Sequence, residues 1–322
     1  MEYNIYCQLL LYIILIVIII IIINTVTKGK CTDSRRLDGQ VIIITGSSRG
    51  IGKCTALDLA KRGAKIIIAC NDIIEANEAR DEIIKITGNE NIEAHFLDLS
   101  SFLSVREFVK NFIANEKRLD VLINNAGTAV TAKKRTKDGL PLGLQVNHYG
   151  HFLLTNLLID LLKKSAPSRI IHVSSILHIL GRLDFDNMNS EKSHNMTTLY
   201  CDSKLYNVLG SNEFAKRLEG SGVTSNCVYP GAVRTNIFEH ILLPIKMIIV
   251  VLGILFFKTP EEGAQTTIHL AVSDEGSKVS GKYFVDCKNI NCLNRPYSNE
   301  DRQKFWDKCC DLVGLKPEER LI

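Results

Sequence analysis

Two side chains set the chemistry to be explained. Tyr200 and Lys204 stand four residues apart in a helical pattern, and residues at that spacing share one helical face. A phenol ionises near pH 10, and a neighbouring ammonium favours its charged form, so the pair can move a proton to or from a substrate oxygen. A serine pair, Ser174-Ser175, closes an apolar run some twenty-five residues earlier and offers hydroxyls to the same oxygen. A second cluster, Thr45-Gly46-Ser47-Ser48-Arg49-Gly50-Ile51-Gly52, lies between an apolar run and a helical pattern. Glycines there allow close backbone approach, and a helix N-terminus presents free N–H groups to a phosphate.

Elements that can position these groups alternate along the chain. Strands are expected at Val41–Thr45, Lys65–Cys70, Ile92–Leu97, Leu119–Ile123, Arg169–Ser174, Val223–Tyr229 and Gly281–Val285. They are short, rich in Ile and Val, and too continuously apolar for a sheet with one wet face. Helices are expected at Ile51–Arg62, Ile73–Thr87, Ser101–Lys117, Gly143–Lys164, Thr197–Glu219 and Pro260–Val272. Strand–helix alternation builds an α/β domain with a parallel, doubly wound sheet of about seven strands.

Composition excludes several functions. The 39 basic and 35 acidic side chains among 322 residues leave a net charge of +4, which gives no electrostatic case for nucleic acid. With 46% hydrophobic and 23% charged residues, wholesale disorder is excluded too. The ten cysteines form no CxxC pair and no zinc spacing, so no metal is expected and the thiols read as reduced. His148, His151, His172 and His178 read as packed or hydrogen-bonded side chains.

One local extreme stands out. Leu9 to Ile23 is apolar throughout except for the Tyr12 hydroxyl. Counted from Ile5, the run would extend about 28 Å as a helix, close to the hydrocarbon thickness of a bilayer. It lacks a basic start and a small-residue cleavage site, so a retained anchor over 1–24 is expected, then a polar linker over 25–37 and a domain over 38–322. Lys28, Lys30, Arg35 and Arg36 follow the run, which turns the domain toward the cytosol. Modification of the Asn195-Met196-Thr197 sequon would refute that orientation. A second apolar stretch lies within 241–257. It is too short to span a bilayer and reads either as a substrate lid touching the membrane or as a buried or oligomer-forming segment.

The Gly-x3-Gly-x-Gly loop, Asn124-Asn125-Ala126-Gly127, Asn147, Ser174-Ser175, Tyr200-x3-Lys204 and Pro230-Gly231-Ala232-Val233-Arg234-Thr235 together resemble the short-chain dehydrogenases/reductases over residues 38–290. The resemblance implies a nicotinamide cofactor held by Gly46, Ser47, Ser48, Arg49, Gly50, Ile51, Gly52, Asn71, Asp98, Leu99, Asn125, Ala126, Gly127, Pro230, Gly231, Val233 and Thr235. It implies Tyr200 as proton donor/acceptor and Lys204 as the ammonium that tunes it and holds the nicotinamide ribose. Ser175 would bind the substrate oxygen, with Ser174 as its competitor, and Asn147 would hold a relay water. Asp98 carries two roles at once, a helix N-cap and an acid beside the adenine.

Cofactor choice turns on the end of the second strand. Cys70 stands where NAD-preferring members carry an acid, and Asn71 where many NADP-preferring ones carry arginine. Arg49 supplies the missing charge or simply points to water; NADP(H) is preferred, with NAD(H) open. Lys192, Asn207-Val208-Leu209, Glu213–Glu219 and Ser280–Cys287 resemble the membrane-anchored retinol dehydrogenase branch. That branch implies an endoplasmic-reticulum, cytosol-facing enzyme acting on retinoids or other lipophilic aldehydes. Steroid or lipid-derived carbonyls are the rival substrates, and a non-catalytic cofactor-binding scaffold is the rival class. A homo-oligomer is open.

Overall fold

The computed structural model describes residues 28–129, 134–192, 196–233, 257–292 and 297–322. The expected anchor (1–24), the sequon Asn195, Thr235 and nearly all of the 241–257 stretch lie outside them. No helix among the described residues is long and apolar enough to cross a membrane.

Eight strands form one sheet: β1 (Val41–Thr45), β2 (Lys65–Cys70), β3 (Ile92–Phe96), β4 (Val121–Asn124), β5 (Ser168–Val173), β6 (Val223–Tyr229), β7 (Tyr283–Val285) and β8 (Lys288–Ile290). Their order is β3-β2-β1-β4-β5-β6-β7-β8. All neighbours are parallel except the last pair, where β8 returns antiparallel to β7 with Tyr283 opposite Ile290. β8 is absent from the sequence expectation because its three residues are exposed and carry no apolar run.

Helices α1 (Gly50–Lys61), α2 (Ile73–Thr87) and α7 (Pro260–Val272) cover one face, with a core of Ile42, Ile44, Ile66, Ile68, Leu59 and Ile268. On the other face lie α3 (Phe102–Asn115), α5 (Gly150–Lys164), α6 (Met196–Arg217) and α9 (Asn299–Leu312), around Ile43, Phe112, Phe152, Phe214 and Trp306. Continuous burial of β1 and β2 on both faces explains their uninterrupted Ile runs. The short α8 (Asp274–Lys278) follows α7.

Three differences from the sequence reading have physical causes. The segment read as one helix from Gly143 is α4 (Leu142–Leu144), a π-turn over Gln145–Tyr149, and then α5. A π-turn leaves the apolar periodicity nearly intact, so the pattern hides it. The C-terminal α9 escaped notice because it is polar overall, yet Phe305, Trp306, Cys309 and Cys310 are buried. Its start was written in Ser298 and Asp301, which form a reciprocal capping box. Residues 28–37, expected as a linker, lie against the domain: Lys28 pairs with Glu262, Cys31 N–H donates to Gln265 at 3.1 Å, and Leu37 is fully buried.

The sheet order reverses between β1 and β4, the point where open α/β sheets leave a crevice beyond the carboxyl ends of the strands. The loops after β1, β4, β5 and β6 converge on that edge.

Candidate active site

The glycine loop begins where Thr45 ends β1. Gly46 and Gly50 have φ of +62° and +58°, left-handed values that glycine adopts without steric cost. A Cβ on Gly52 would lie 2.5 Å from the Gly46 carbonyl oxygen and 2.6 Å from Asn125 Nδ2, so the first turn of α1 packs directly on the loop. Ser47 donates its hydroxyl to the Ile44 carbonyl at 2.7 Å. The loop after β4 is fastened to it: Asn125 Nδ2 donates to the Thr45 and Gly46 carbonyls at 2.8 and 3.2 Å.

Thr45 Oγ1 accepts the Asn125 and Ala126 N–H groups at 2.9 and 3.0 Å, so its own hydrogen goes to His151 Nε2 at 2.8 Å. His151 then carries its hydrogen on Nδ1 and donates to the Asn147 carbonyl at 3.2 Å. Full burial pushes its pKa down to about 3, which keeps the ring neutral. A buried histidine thus joins the glycine loop to the π-turn. Nothing local in the chain signals this, because the partners meet only through the sheet.

The charge environment of the loop fits a phosphate. The N-cap of α1, Arg49, makes no side-chain cap and its first turn holds no acid, whereas α2, α3, α7 and α9 are capped by Asp72, Ser101, Thr259 and Ser298. Free N–H groups and the positive end of the helix therefore face the crevice. Arg49 is largely exposed, and its guanidinium lies 3.8 Å from Glu75, which also accepts the Ser48 hydroxyl at 3.0 Å. The sequence reading missed Glu75. Its signal was the Asp72-x-x-Glu75 helix start, although here the glutamate turns to the glycine loop and not to its own N-cap. Cys70 is buried and Asn71 exposed at the end of β2.

Asp98 does not cap α3; Ser101 does, accepting Ser104 N–H at 3.3 Å. The Asp98 carboxylate instead closes a local turn on Ser100 N–H and Oγ at 2.9 and 2.7 Å. Leu99 is buried, and a Cβ on Gly150 would meet its carbonyl at 2.6 Å. After β6, Gly231 (φ +92°) leaves room for the Lys258 stem, and Val233 bridges Lys258 with the Ala232 carbonyl accepting Lys258 N–H at 2.7 Å. Pro230 is buried beside them.

The candidate proton-moving groups lie at the end of β5 and on α6. Ser174 is buried and donates to the Lys204 carbonyl at 2.8 Å, so its hydroxyl is committed to the fold. Ser175 is half-buried and hydrogen-bonds the Tyr200 phenol. Burial raises the phenol above its ordinary value, and the Ser175 hydroxyl pulls it partly back. This reverses the expectation of a lowered phenol. A low-dielectric site disfavours both phenolate and ammonium, and burial brings Lys204 down to about 8.

The Lys204 Nζ stands 5.7 Å from the Tyr200 ring centroid and donates to the Val173 carbonyl at 3.2 Å. A Cβ on Gly127 would come within 3.3 Å of that Nζ. Asn147, in the π-turn, spends its whole side chain on protein: Nδ2 donates to the Thr128 carbonyl and to Ser203 Oγ, both at 3.0 Å, and Oδ1 accepts Thr128 N–H at 2.7 Å. Its main-chain carbonyl accepts His151 Nδ1–H at 3.2 Å. Among the described residues no cluster of metal-ligating side chains occurs.

A dinucleotide crevice at the sheet reversal, with a serine, tyrosine and lysine grouped beyond it, defines a nicotinamide-type oxidoreductase. Residues 40–243 match the sequence model of the short chain dehydrogenase family, and the chain belongs to that family. It is similar to human retinol dehydrogenase 11 (44% identical over 291 residues, 90% of this chain and 91% of that one). Human retinol dehydrogenase 14 is 43% identical over 298 residues, covering 88% and 89% of the two chains. The enzyme is therefore an oxidoreductase of the retinol dehydrogenase-like branch. Among solved structures, an uncharacterized protein from Mycobacterium Paratuberculosis superposes with a TM-score of 0.69 at 27% identity, over 89% of this chain and 98% of that one. The Pseudomonas aeruginosa RhlG/NADP active-site complex gives 0.63 at 26%, over 77% and 94%.

Proposed function

We propose that this chain is an NADP(H)-dependent oxidoreductase that interconverts a lipophilic aldehyde or ketone with its alcohol, with retinal/retinol as the substrate pair. The observation that carries the reading is the Tyr200 phenol, hydrogen-bonded to Ser175, with the buried Lys204 on the same helical face. Names of the curated relatives support the retinoid, and the NADP-bound structural neighbour supports the cofactor.

In reduction the carbonyl oxygen accepts hydrogen bonds from Tyr200 and Ser175, which orient it and polarise the carbon. A nicotinamide held in the crevice would supply the hydride. Tyr200, kept neutral by burial, gives its proton to the developing alkoxide, and the Lys204 ammonium stabilises the phenolate left behind. Two of the three Lys204 ammonium hydrogens have no acceptor among the described residues and would hold the ribose. The Asn147 main-chain carbonyl would hold a water that returns the proton. Gly46–Gly52 with Asn125, Ala126, Gly127, Pro230, Gly231 and Val233 would cradle the cofactor, and Arg49 would meet the 2′-phosphate. Residues 1–24 would anchor the chain in the endoplasmic-reticulum membrane with the domain on the cytosolic side.

The test is NADPH consumption by detergent-solubilised full-length protein with all-trans-retinal, beside Tyr200→Phe, a steroid ketone and a medium-chain aldehyde. Loss of the phenol should cost about 10²–10⁴ in turnover while NADPH binding is retained. Turnover of the other carbonyls alone removes the retinoid. Cofactor binding with no turnover of any carbonyl refutes the enzyme reading.

A further inference from the structure

The turn that follows Ser175 has an unusual distribution of polarity. In the 3₁₀ segment Ile176–Leu180, the four aliphatic side chains are exposed, from 37% at Ile176 to 60% at Leu180, and the polar one, His178, is 1% exposed. Hydrophobic burial did not draw His178 inward, since its apolar neighbours stay outside. Hydrogen bonds hold it there.

Its Nδ1 lies 2.6 Å from the Ser175 carbonyl oxygen. A carbonyl only accepts, so Nδ1 carries the hydrogen and Nε2 is bare. The bare nitrogen faces the Cys292 thiol at 3.3 Å, a donor of matching sense. The Tyr283 ring packs against the imidazole at 4.9 Å between centroids, with its hydroxyl 3.3 Å from Nδ1. Tyr283 belongs to β7 and Cys292 follows β8, so the histidine is gripped by a different part of the sheet from the one it holds. The Ser175 carbonyl also accepts the His178 backbone N–H at 3.1 Å. Two donors from one residue therefore fix the peptide group whose Cα carries the substrate-facing hydroxyl. The Ser175 hydroxyl also accepts Leu177 N–H at 3.3 Å, which leaves its own hydrogen for Tyr200.

We propose that His178, seated on Tyr283 and Cys292, is a positioning residue that holds the Ser175 hydroxyl toward Tyr200 and the substrate oxygen. The inference rests on the carbonyl-reductase reading above. His178 acts in this arrangement through Ser175, whose carbonyl it holds. Burial lowers the imidazole pKa, which keeps it in the neutral form this geometry needs.

The experiment is a double-mutant cycle on full-length protein in detergent, with retinal and NADPH. His178→Leu should lower kcat about tenfold with NADPH affinity unchanged. His178→Asn, whose amide N–H can replace Nδ1–H, should recover most of that loss. In a Ser175→Ala background, His178→Leu should produce no further fall. Multiplicative losses in the two backgrounds would overturn the proposal, as would a folded His178→Leu enzyme with wild-type kcat, or a loss confined to NADPH binding. If His178→Leu does not fold, the cycle is run with Tyr283→Phe and Cys292→Ala together, which loosen the seat and keep the imidazole. A wild-type enzyme that reduces no carbonyl overturns the functional reading and this inference with it. An active wild type with an additive cycle removes the inference alone.

Discussion

Lys204→Met should stabilise the protein while abolishing turnover. The ammonium is buried, and its pKa falls from 10.5 to about 8 because desolvation penalises the charged form. At about 1.4 kcal/mol per pH unit, holding that charge inside costs the folded state about 3 kcal/mol at neutral pH. Methionine keeps much of the aliphatic stem and removes the charge. The Val173 carbonyl that loses its ammonium donor still accepts Asn207 Nδ2 at 3.2 Å, so no buried acceptor is orphaned. For a domain of this size, a gain of that order corresponds to about 5 °C or more in Tm.

The pH dependence gives the sharper check. Between pH 8 and 10.5 the folded lysine has lost its proton while the unfolded one retains it, so wild-type stability from this group rises with pH. The advantage of the variant is therefore full below pH 8 and shrinks to about 1.4 kcal/mol by pH 9.5. Circular-dichroism melts of both proteins at pH 7 and 9.5, without added cofactor, measure the two gaps. A variant less stable than wild type at pH 7, or a gap identical at both pH values, would refute the reasoning.

The cofactor site yields three further predictions. Gly52→Ala forces a methyl onto the Gly46 carbonyl and Asn125 Nδ2, so NADPH affinity by fluorescence titration should fall at least about tenfold, or 1.4 kcal/mol; retained affinity would show that the loop gives way freely. Arg49→Ala should raise the NADPH KM several-fold with little change for NADH. Glu75→Gln should raise NADPH preference by up to about fivefold, since an exposed pair of this kind is worth at most about 1 kcal/mol. Equal effects on the two cofactors would remove both residues from the selectivity argument.

Much of the fold was legible because a sheet covered on both faces writes itself as short Ile/Val runs. β1, β2 and β6 fall on the expected residues. The glycine loop and the Tyr200–Lys204 pair were legible because each is a local motif. What the sequence concealed were contacts between distant segments. Thr45, His151 and Asn147 meet only when β1 and α5 pack together. His178 looked like any core histidine until Tyr283 and Cys292 closed on it. The direction of the phenol's pKa was misread because spacing reports proximity to Lys204 and says nothing of the dielectric around both.

The packing of residues 28–37 bears on how the enzyme meets its substrate. Lys28 pairs with Glu262, Gly29 N–H donates to Asp286 at 3.1 Å, and Asp286 also pairs with Lys258, whose stem lies against Gly231 of the cofactor loop. Four residues, 24–27, separate this knot from the apolar run, and a chain of four spans at most about 14 Å. On the proposed anchor the catalytic domain has a very short leash, tied at the corner beside its own crevice. So tethered, it could neither roll over nor drift away from the lipid surface. The proposed substrate, a water-insoluble aldehyde dissolved among the acyl chains, would then reach the enzyme by lateral, two-dimensional diffusion. It is spared the roughly 0.8 kcal/mol per methylene that passage through water would impose.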